Sequence, residues 1–318
     1  MPQAGPVAYG QDTLRYDGGM SQHPSTAAEA ATRPGAGADS RELVTTVVMT
    51  RDRRDQLLAS LPRHQAPLIV VDNGSTDGSL EAIGACRPDA QVISVGRNLG
   101  ACARNLGVEQ ARTPYVAFAD DDSWWAPGAL RQAVRVLSAH PEVAVLVASV
   151  LVGPEERPDP INAMLTHSPL PDRPGLPGRP VLGFLACAAV VRRDAFLAAG
   201  GFDDVVFFFG EETRLALDLA TKGWALQHLP DLVVHHHPAP GRADNAGKPM
   251  LADRNDLLTA VMRRPWRVVG GTAFALLRSP DSWPALVAAA RRTPRALRRR
   301  KQVPDDVESQ LRLLEGAA

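Results

Sequence analysis

Leu68-Ile69-Val70-Val71-Asp72-Asn73-Gly74-Ser75-Thr76-Asp77-Gly78 decides the fold. Its first four residues are apolar and mostly β-branched, the pattern of a short strand buried on both faces. The seven that follow are turn formers, so the strand ends abruptly in an Asx-type turn. Upstream, Leu43–Met49 is a second continuous apolar run and Asp55–Leu61 reads as a short helix. Downstream, helical patterns over Leu80–Cys86, Gly100–Gln110 and Ala129–Ala139 alternate with strand patterns over Gln91–Val95, Tyr115–Ala119 and Val143–Val150. Such alternation predicts an α/β fold, an open, mostly parallel sheet with helices on both faces.

The rest of the chain sorts by composition. Residues 1–41 are rich in Ala, Gly, Ser, Thr and Pro with few large apolar side chains, and they read as disordered. Residues 42–240 form the expected domain, and 241–318 an Arg-rich helical extension interrupted by Pro265, Pro280, Pro284 and Pro294. Eight prolines between Gly153 and Pro180 predict an irregular segment. A strand is expected over Val181–Val191, a helix over Thr213–Lys222 and a strand over Leu232–His237. The 35 basic and 35 acidic residues cancel, which argues against a nucleic-acid partner held by bulk charge. Three scattered cysteines (Cys86, Cys102, Cys187) fit neither a zinc cluster nor a disulfide framework and suit a reducing compartment. No secretory signal is read, and no run has the length of a membrane span. The expected location is the cytoplasm.

Five clusters carry candidate chemistry. Asp72 and Asn73 stand at a strand's carboxyl end, where open α/β sheets bind ligands; an Asx turn with a helix cap explains the same residues equally well. Asp120-Asp121-Asp122 ends the strand Tyr115–Ala119. Three adjacent carboxylates repel unless solvated or bound to a cation, and alternation puts Asp120 and Asp122 on one side, fit to hold Mg2+ or Mn2+ and through it a diphosphate. The ordinary alternative is a solvated acidic turn, which Trp124 and Trp125 immediately after make less apt. Gly96–Asn105 follows a strand and opens a helix without GxGxxG spacing, so a dinucleotide site fits poorly, while Arg104 and Asn105 lie within reach of the sheet edge. Glu211 and Glu212 follow Phe207-Phe208-Phe209. They read either as acids favoured by a helix dipole or as a base in an aromatic-walled pocket, where burial raises a carboxyl pKa. His235-His236-His237 closes a strand, with His235 and His237 sharing a face.

Taken in order, VVDNGSTDGS, NLGACARN, YVAFADDDSWW, GGFDDVVFFFGEE and VVHHH resemble family 2 glycosyltransferases of the GT-A fold, from Leu43 to Pro238. The resemblance implies inverting transfer of a hexosyl or deoxyhexosyl group from a nucleotide-diphosphate sugar, UDP- or dTDP-linked, to a glycan or lipid-linked acceptor. Carried over by position, Asp72 contacts the nucleotide base. Asp120 and Asp122 form the DXD pair, Asp122 on the metal and Asp120 nearer the ribose, and His235 completes the metal site. Asn73, Asn98, Gly100, Arg104, Asn105 and Asp121 belong to the donor side. Glu212 falls at the general-base position, with Glu211 the neighbour one register away. Trp124, Trp125, Arg214 and Arg254 are placed toward the acceptor. Three positions depart from the family pattern. Glu212 replaces the common Asp, Arg214 stands where a second acid is common, and Thr50-Arg51-Asp52 replaces a Pro-Thr-Tyr-Asn-type turn.

Two other functions suit parts of this pattern. A sugar-phosphate nucleotidyltransferase uses a related sheet but wants a Gly-rich basic loop after the first strand, and Thr50–Arg54 has no glycine. A non-catalytic nucleotide-sugar binder would not need Asp120, Asp122 and Glu212 together. Seven basic residues between Arg291 and Lys301 follow the apolar stretch Trp283–Ala290. Residues 283–301 therefore read as peripheral attachment to an anionic membrane surface or, equally, as a solvated tail.

Overall fold

The structure, a computed structural model, describes residues 43–65, 67–238 and 248–317. The reading of 1–41 as disordered and the boundary at 240/241 lie outside the described residues.

The chain runs β1 (Val44–Thr50), α1 (Arg54–Ser60), β2 (Leu68–Asp72), α2 (Ser79–Cys86), β3 (Gln91–Ser94), α3 (Ala103–Gln110), β4 (Tyr115–Asp120), β5 (Ser123–Trp125) and α4 (Ala129–Ala139). It continues through β6 (Val143–Val152), β7 (Arg157–Pro158), α5 (Pro160–Thr166), β8 (Arg179–Pro180), β9 (Ala189–Arg192), α6 (Arg193–Ala198), α7 (Glu211–Thr221) and β10 (Ala225–His236). Four helices follow: α8 (Lys248–Arg263), α9 (Trp266–Arg278), α10 (Trp283–Arg298) and α11 (Asp305–Ala317).

One sheet orders its strands β3-β2-β1-β4-β9-β6-β10-β5. β3, β2, β1 and β4 are mutually parallel, as are β6 and β10, and β9 is inserted antiparallel between the two sets. The open, mostly parallel sheet expected from the alternation is therefore present. Its uninterrupted apolar strands are buried because helices cover both faces. Val47, Phe118, Phe196 and Phe202 fill one side, and α4 lays Leu130, Val134 and Leu137 against Leu146 and Val234 on the other. Each such side chain contributes about 1.5–3 kcal/mol by leaving water. α3 approaches closely because Gly107 lacks a Cβ, which would meet Val47 Cγ1 at 2.4 Å.

The structure departs from expectation where proline and apolarity were read too simply. Within the proline-rich segment, α5 forms because Pro160 occupies its first turn and the Asp159 carboxylate accepts from Ile161 N at 2.9 Å. Proline at that position breaks no helical bond. Likewise Pro284 sits in the first turn of α10, and Pro294 lies inside that helix. Of Val181–Val191, only Ala189 onward is strand; Ala186–Ala188 is a single 3-10 turn and 181–185 is irregular, apolar because it is mostly buried rather than because it pairs. β10 starts at Ala225, earlier than expected, and a register shift between Leu229 and Val233 absorbs Pro230.

The C-terminal helices are integral to the fold. Leu258, Val261 and Met262 of α8, with Ala289 and Ala296 of α10, enclose Val205 and Val206, while Val307 and Leu311 of α11 pack on Leu217 and Ala220 of α7. Four of the seven clustered bases turn inward. Arg292 donates to Val205 O at 2.7 Å, Arg295 pairs with Asp204, Arg299 with Asp203 and Asp204, and Arg300 donates to Arg264 O at 2.8 Å. As a free basic tail the run is thus mostly spent on holding the 203–206 loop and α8. Among the described residues no helix is long and apolar enough to cross a membrane.

Candidate active site

The parallel register brings the carboxyl ends of β1, β2 and β4 side by side, pairing Thr50 with Asp72 and Met49 with Asp120. Asp72 is buried and its carboxylate accepts from Ser75 N at 3.2 Å, closing the Asx turn. Asn73 braces the neighbouring loop, accepting from Leu99 N at 2.8 Å and donating to Asn98 Oδ1 and Gly100 O, both at 3.1 Å. Gly100 takes φ +61°, and a Cβ there would meet Phe207 O at 2.3 Å, so only glycine lets this loop seat against the Phe207 backbone.

Two arginines serve the three carboxylates of the acidic triplet. Arg104 reaches Asp120 at 2.6 Å. Arg53 bridges the others, Nε to Asp121 and Nη2 to Asp122, both at 2.8 Å, and Thr50 Oγ1 donates to Asp121 at 3.3 Å. The strand β10 then sets His236, rather than His235, beside Asp122: Nε2 lies 3.3 Å from Oδ1, and His237 N donates to Asp122 O at 2.8 Å. Strand alternation turns His235 the other way, to Glu156 at 3.2 Å and onto the Trp124 ring. His235, which the resemblance sets at the metal site, is therefore not the histidine beside Asp122.

Glu211 and Glu212 open α7 behind Gly210, whose φ of +81° turns the chain into the helix. The segment before them is held under tension, since Phe207 and Phe209 sit at φ +73° and +68°, where bulky residues are outliers. Ala101 N donating to Phe207 O at 2.7 Å and Asn255 Nδ2 donating to Phe208 O at 2.6 Å keep it there. Glu212 accepts from Ala186 N at 3.2 Å. Glu211 is 2% exposed and lies 3.9 Å from Arg104 Nη1. Burial, reinforced by Glu212, pushes the Glu211 carboxyl up to about 8, and burial raises Glu212 as well. Among the described residues, Glu211 Oε2 and the Arg104 Nε and Nη1 atoms find no hydrogen-bond partner. Burial pushes the Cys187 thiol well up and the Cys102 thiol up to about 12, so neither is poised as a nucleophile.

Two cavities meet at Arg104, Asp120 and Phe208. The first, about 480 Å³, is lined by Thr50, Asn73, Asn98, Asp121 and Arg254. The second, about 620 Å³, is lined by Glu211, Glu212 and His236 and by an apolar wall that includes Leu165, Leu182, Phe184 and Phe209. Other expected site residues lie elsewhere. Asn105 is clamped to the Phe202 backbone, donating and accepting at 2.9 Å. Trp125 is in the core with its Nε1 donating to Phe118 O at 3.0 Å, and Trp124 lies under Arg63 and the flanking histidines. Arg214 is buried between Asp203 and Asp218 at 3.1 and 3.2 Å, a structural pair and not an acceptor contact. Sequence reasoning passed over Arg53 and the Ala186 amide. The triplet's mutual repulsion was a signal for Arg53, because it demands basic partners; nothing local marks Ala186.

Residues 54–198 match the family model described as glycosyl transferase family 2. Over that segment the chain is similar to the family's members. The chain is 28% identical over 221 residues to the N-acetylglucosaminyl-diphospho-decaprenol L-rhamnosyltransferase of Mycobacterium tuberculosis (strain ATCC 25618 / H37Rv), an alignment covering 58% of the chain and 72% of that relative. It is 33% identical over 217 residues to the pre-mycofactocin glycosyltransferase of the same strain, covering 64% of the chain and 45% of that protein. Among solved structures, Staphylococcus aureus TarS 1–349 with UDP-GlcNAc superposes with a TM-score of 0.57 at 17% identity, over 84% of this chain and 83% of that one. The mannosyltransferase PcManGT from Pyrobaculum calidifontis, solved with GDP-Man and Mn2+, gives 0.53 at 22% identity, over 86% and 75%. These likenesses place the chain in the GT-A fold.

Proposed function

We propose that the protein is an inverting glycosyltransferase that moves a sugar from a UDP- or dTDP-linked donor in the smaller cavity to an acceptor hydroxyl in the larger one. The observation that carries this reading is the junction of the cavities, where Glu211 Oε2 and the Nε and Nη1 atoms of Arg104, whose Nη2 holds Asp120, have no hydrogen-bond partner among the described residues. Buried polar groups left open in this way are suited to a ligand that completes them. Asp72 and Asn73 lie where a base and ribose would bind, with Asp120 and Asp121 beyond them toward the diphosphate.

A divalent cation fits the donor set. Asp122 and His236 are adjacent, and an ion such as Mg2+ or Mn2+ commonly takes one or two protein carboxylates and completes its shell with substrate phosphates. Among the described residues no group of three or more His, Cys, Asp or Glu gathers to hold a metal without substrate. Bound there, the cation would neutralise charge on the departing diphosphate. Arg104 adds a fixed positive charge at the junction. Glu212, oriented by the Ala186 N–H, takes the acceptor hydroxyl proton as that oxygen attacks the anomeric carbon opposite the leaving group. The new C–O bond forms as the bond to the diphosphate breaks. Glu211, neutral below about pH 8, keeps a second negative charge away from the base.

The relative named for a decaprenol-linked substrate and the apolar wall of the larger cavity support a lipid-linked acceptor, and the rhamnosyl relative supports a deoxyhexosyl donor. A thermal-shift panel of nucleotide sugars with Mn2+, followed by assay of nucleoside diphosphate release, tests the reading. Stabilisation by UDP- or dTDP-sugars with diphosphate release is expected. Pyrophosphate release from a nucleoside triphosphate and a sugar phosphate would overturn it.

A further inference from the structure

We propose that the outer face of α9 and α10 docks on an anionic lipid surface, an inference independent of the sugar-transfer reading. Trp266, Phe274, Leu277, Trp283 and Val287 are all large, apolar and 56–59% exposed. At about 100° per residue, the three on α9 fall within an arc of roughly 80°, and the two on α10 within roughly 40°. Trp283 Nε1 donates to Leu277 O at 3.0 Å, so the two stripes join at the corner between the helices. Five such side chains along one helical corner exceed the scattered apolar exposure of an ordinary soluble surface.

Charge selects the occupant. Residues 266–301 contain nine basic residues and one acid, Asp281. Four bases are engaged within the fold, but Arg278, Arg291, Arg298 and Lys301 remain exposed beside the apolar stripe. A second copy docked face to face would set these like charges against themselves, which disfavours self-association through this patch. A sheet of lipid phosphates answers both features: tryptophan, phenylalanine and leucine enter the headgroup layer while the arginines pair with phosphate. α9 and α10 are 13 and 16 residues long, a length that lies on a bilayer and does not cross it.

Flotation of the full chain with vesicles of phosphatidylcholine alone, or of phosphatidylcholine with phosphatidylglycerol, tests this. Binding is expected only with the anionic vesicles and is expected to weaken as salt rises. Leu277→Ser with Val287→Ser should abolish it, and Arg291→Gln with Arg298→Gln should reduce it about five-fold for each base removed. Both variants alter exposed positions and should keep the parent thermal midpoint and donor hydrolysis. No flotation at low salt, equal flotation with neutral vesicles, or unchanged binding in both variants would overturn the proposal. So would a dimer by sedimentation equilibrium that Leu277→Ser with Val287→Ser makes monomeric, because the face would then belong to a second copy.

Discussion

The two cavities that meet at Arg104 are built by opposite means. The smaller is made by strand ends in register, with Thr50, Asp72 and Asp120 brought together by a sheet whose hydrogen bonds leave little choice of position. The larger is made by segments outside the sheet: 181–188, the short helix α5 and the turn through Phe208, Phe209 and Gly210. Substrate parts common to many enzymes can be held by a rigid lattice. A variable acceptor is better met by segments that change without disturbing a strand.

Asp122→Ala should produce the largest effect, a loss of transfer of about 10³-fold together with loss of Mn2+-dependent donor binding. Isothermal calorimetry of donor with Mn2+ checks it, and unchanged affinity would move the metal elsewhere. Glu212→Gln should lower kcat by about 10²–10⁴-fold with donor affinity nearly unchanged. Glu211→Gln should be milder and should leave the rising limb of the pH–rate profile in place, because Glu211 is already neutral where Glu212 ionises. If the two variants exchange severity, Glu211 is the base.

The same pair predicts a stability difference. Glu211 has a folded pKa raised from 4.5 to about 8, so its protonated form stabilises the fold fully below pH 4.5, and that contribution is lost as pH rises through 8. The thermal midpoint of Glu211→Gln should therefore rise relative to the parent across that window. A constant difference from pH 5 to 8.5 would mean the carboxyl is already ionised. The smallest expected effect is Asp159→Ala, which removes the α5 cap, costs about 1 kcal/mol in denaturant unfolding and raises acceptor KM while leaving donor affinity alone.

The same contrast marks what was legible beforehand. β1 to β4 and the residues at their ends announce themselves, because buried parallel strands need continuous apolar runs and their turns need Asp, Asn and Gly. The sequence leaves open which of the three histidines meets the acidic triplet, since strand alternation says which histidines share a face and not which face turns to Asp122. Arg214 and Asn105 looked like ligand contacts because polarity in a motif says nothing of whether the partner is substrate or backbone. The Ala186 amide had no local signature at all; it joins Glu212 across 26 residues of chain.

The strained turn before Glu211 has a consequence for modularity. Phe207 and Phe209 each cost about 1–3 kcal/mol in their backbone conformations, and Asn255 on α8 together with Arg292 on α10 holds that segment in place. The chain consequently has no seam at which a catalytic cassette could be separated from its C-terminal helices. A chimera that exchanged residues 248–317 for another sequence would let the turn relax and carry Glu211 and Glu212 out of register, even though every residue of the acidic triplet was intact. Recombination in this protein is confined to cuts that keep the 203–210 loop with α8 and α10.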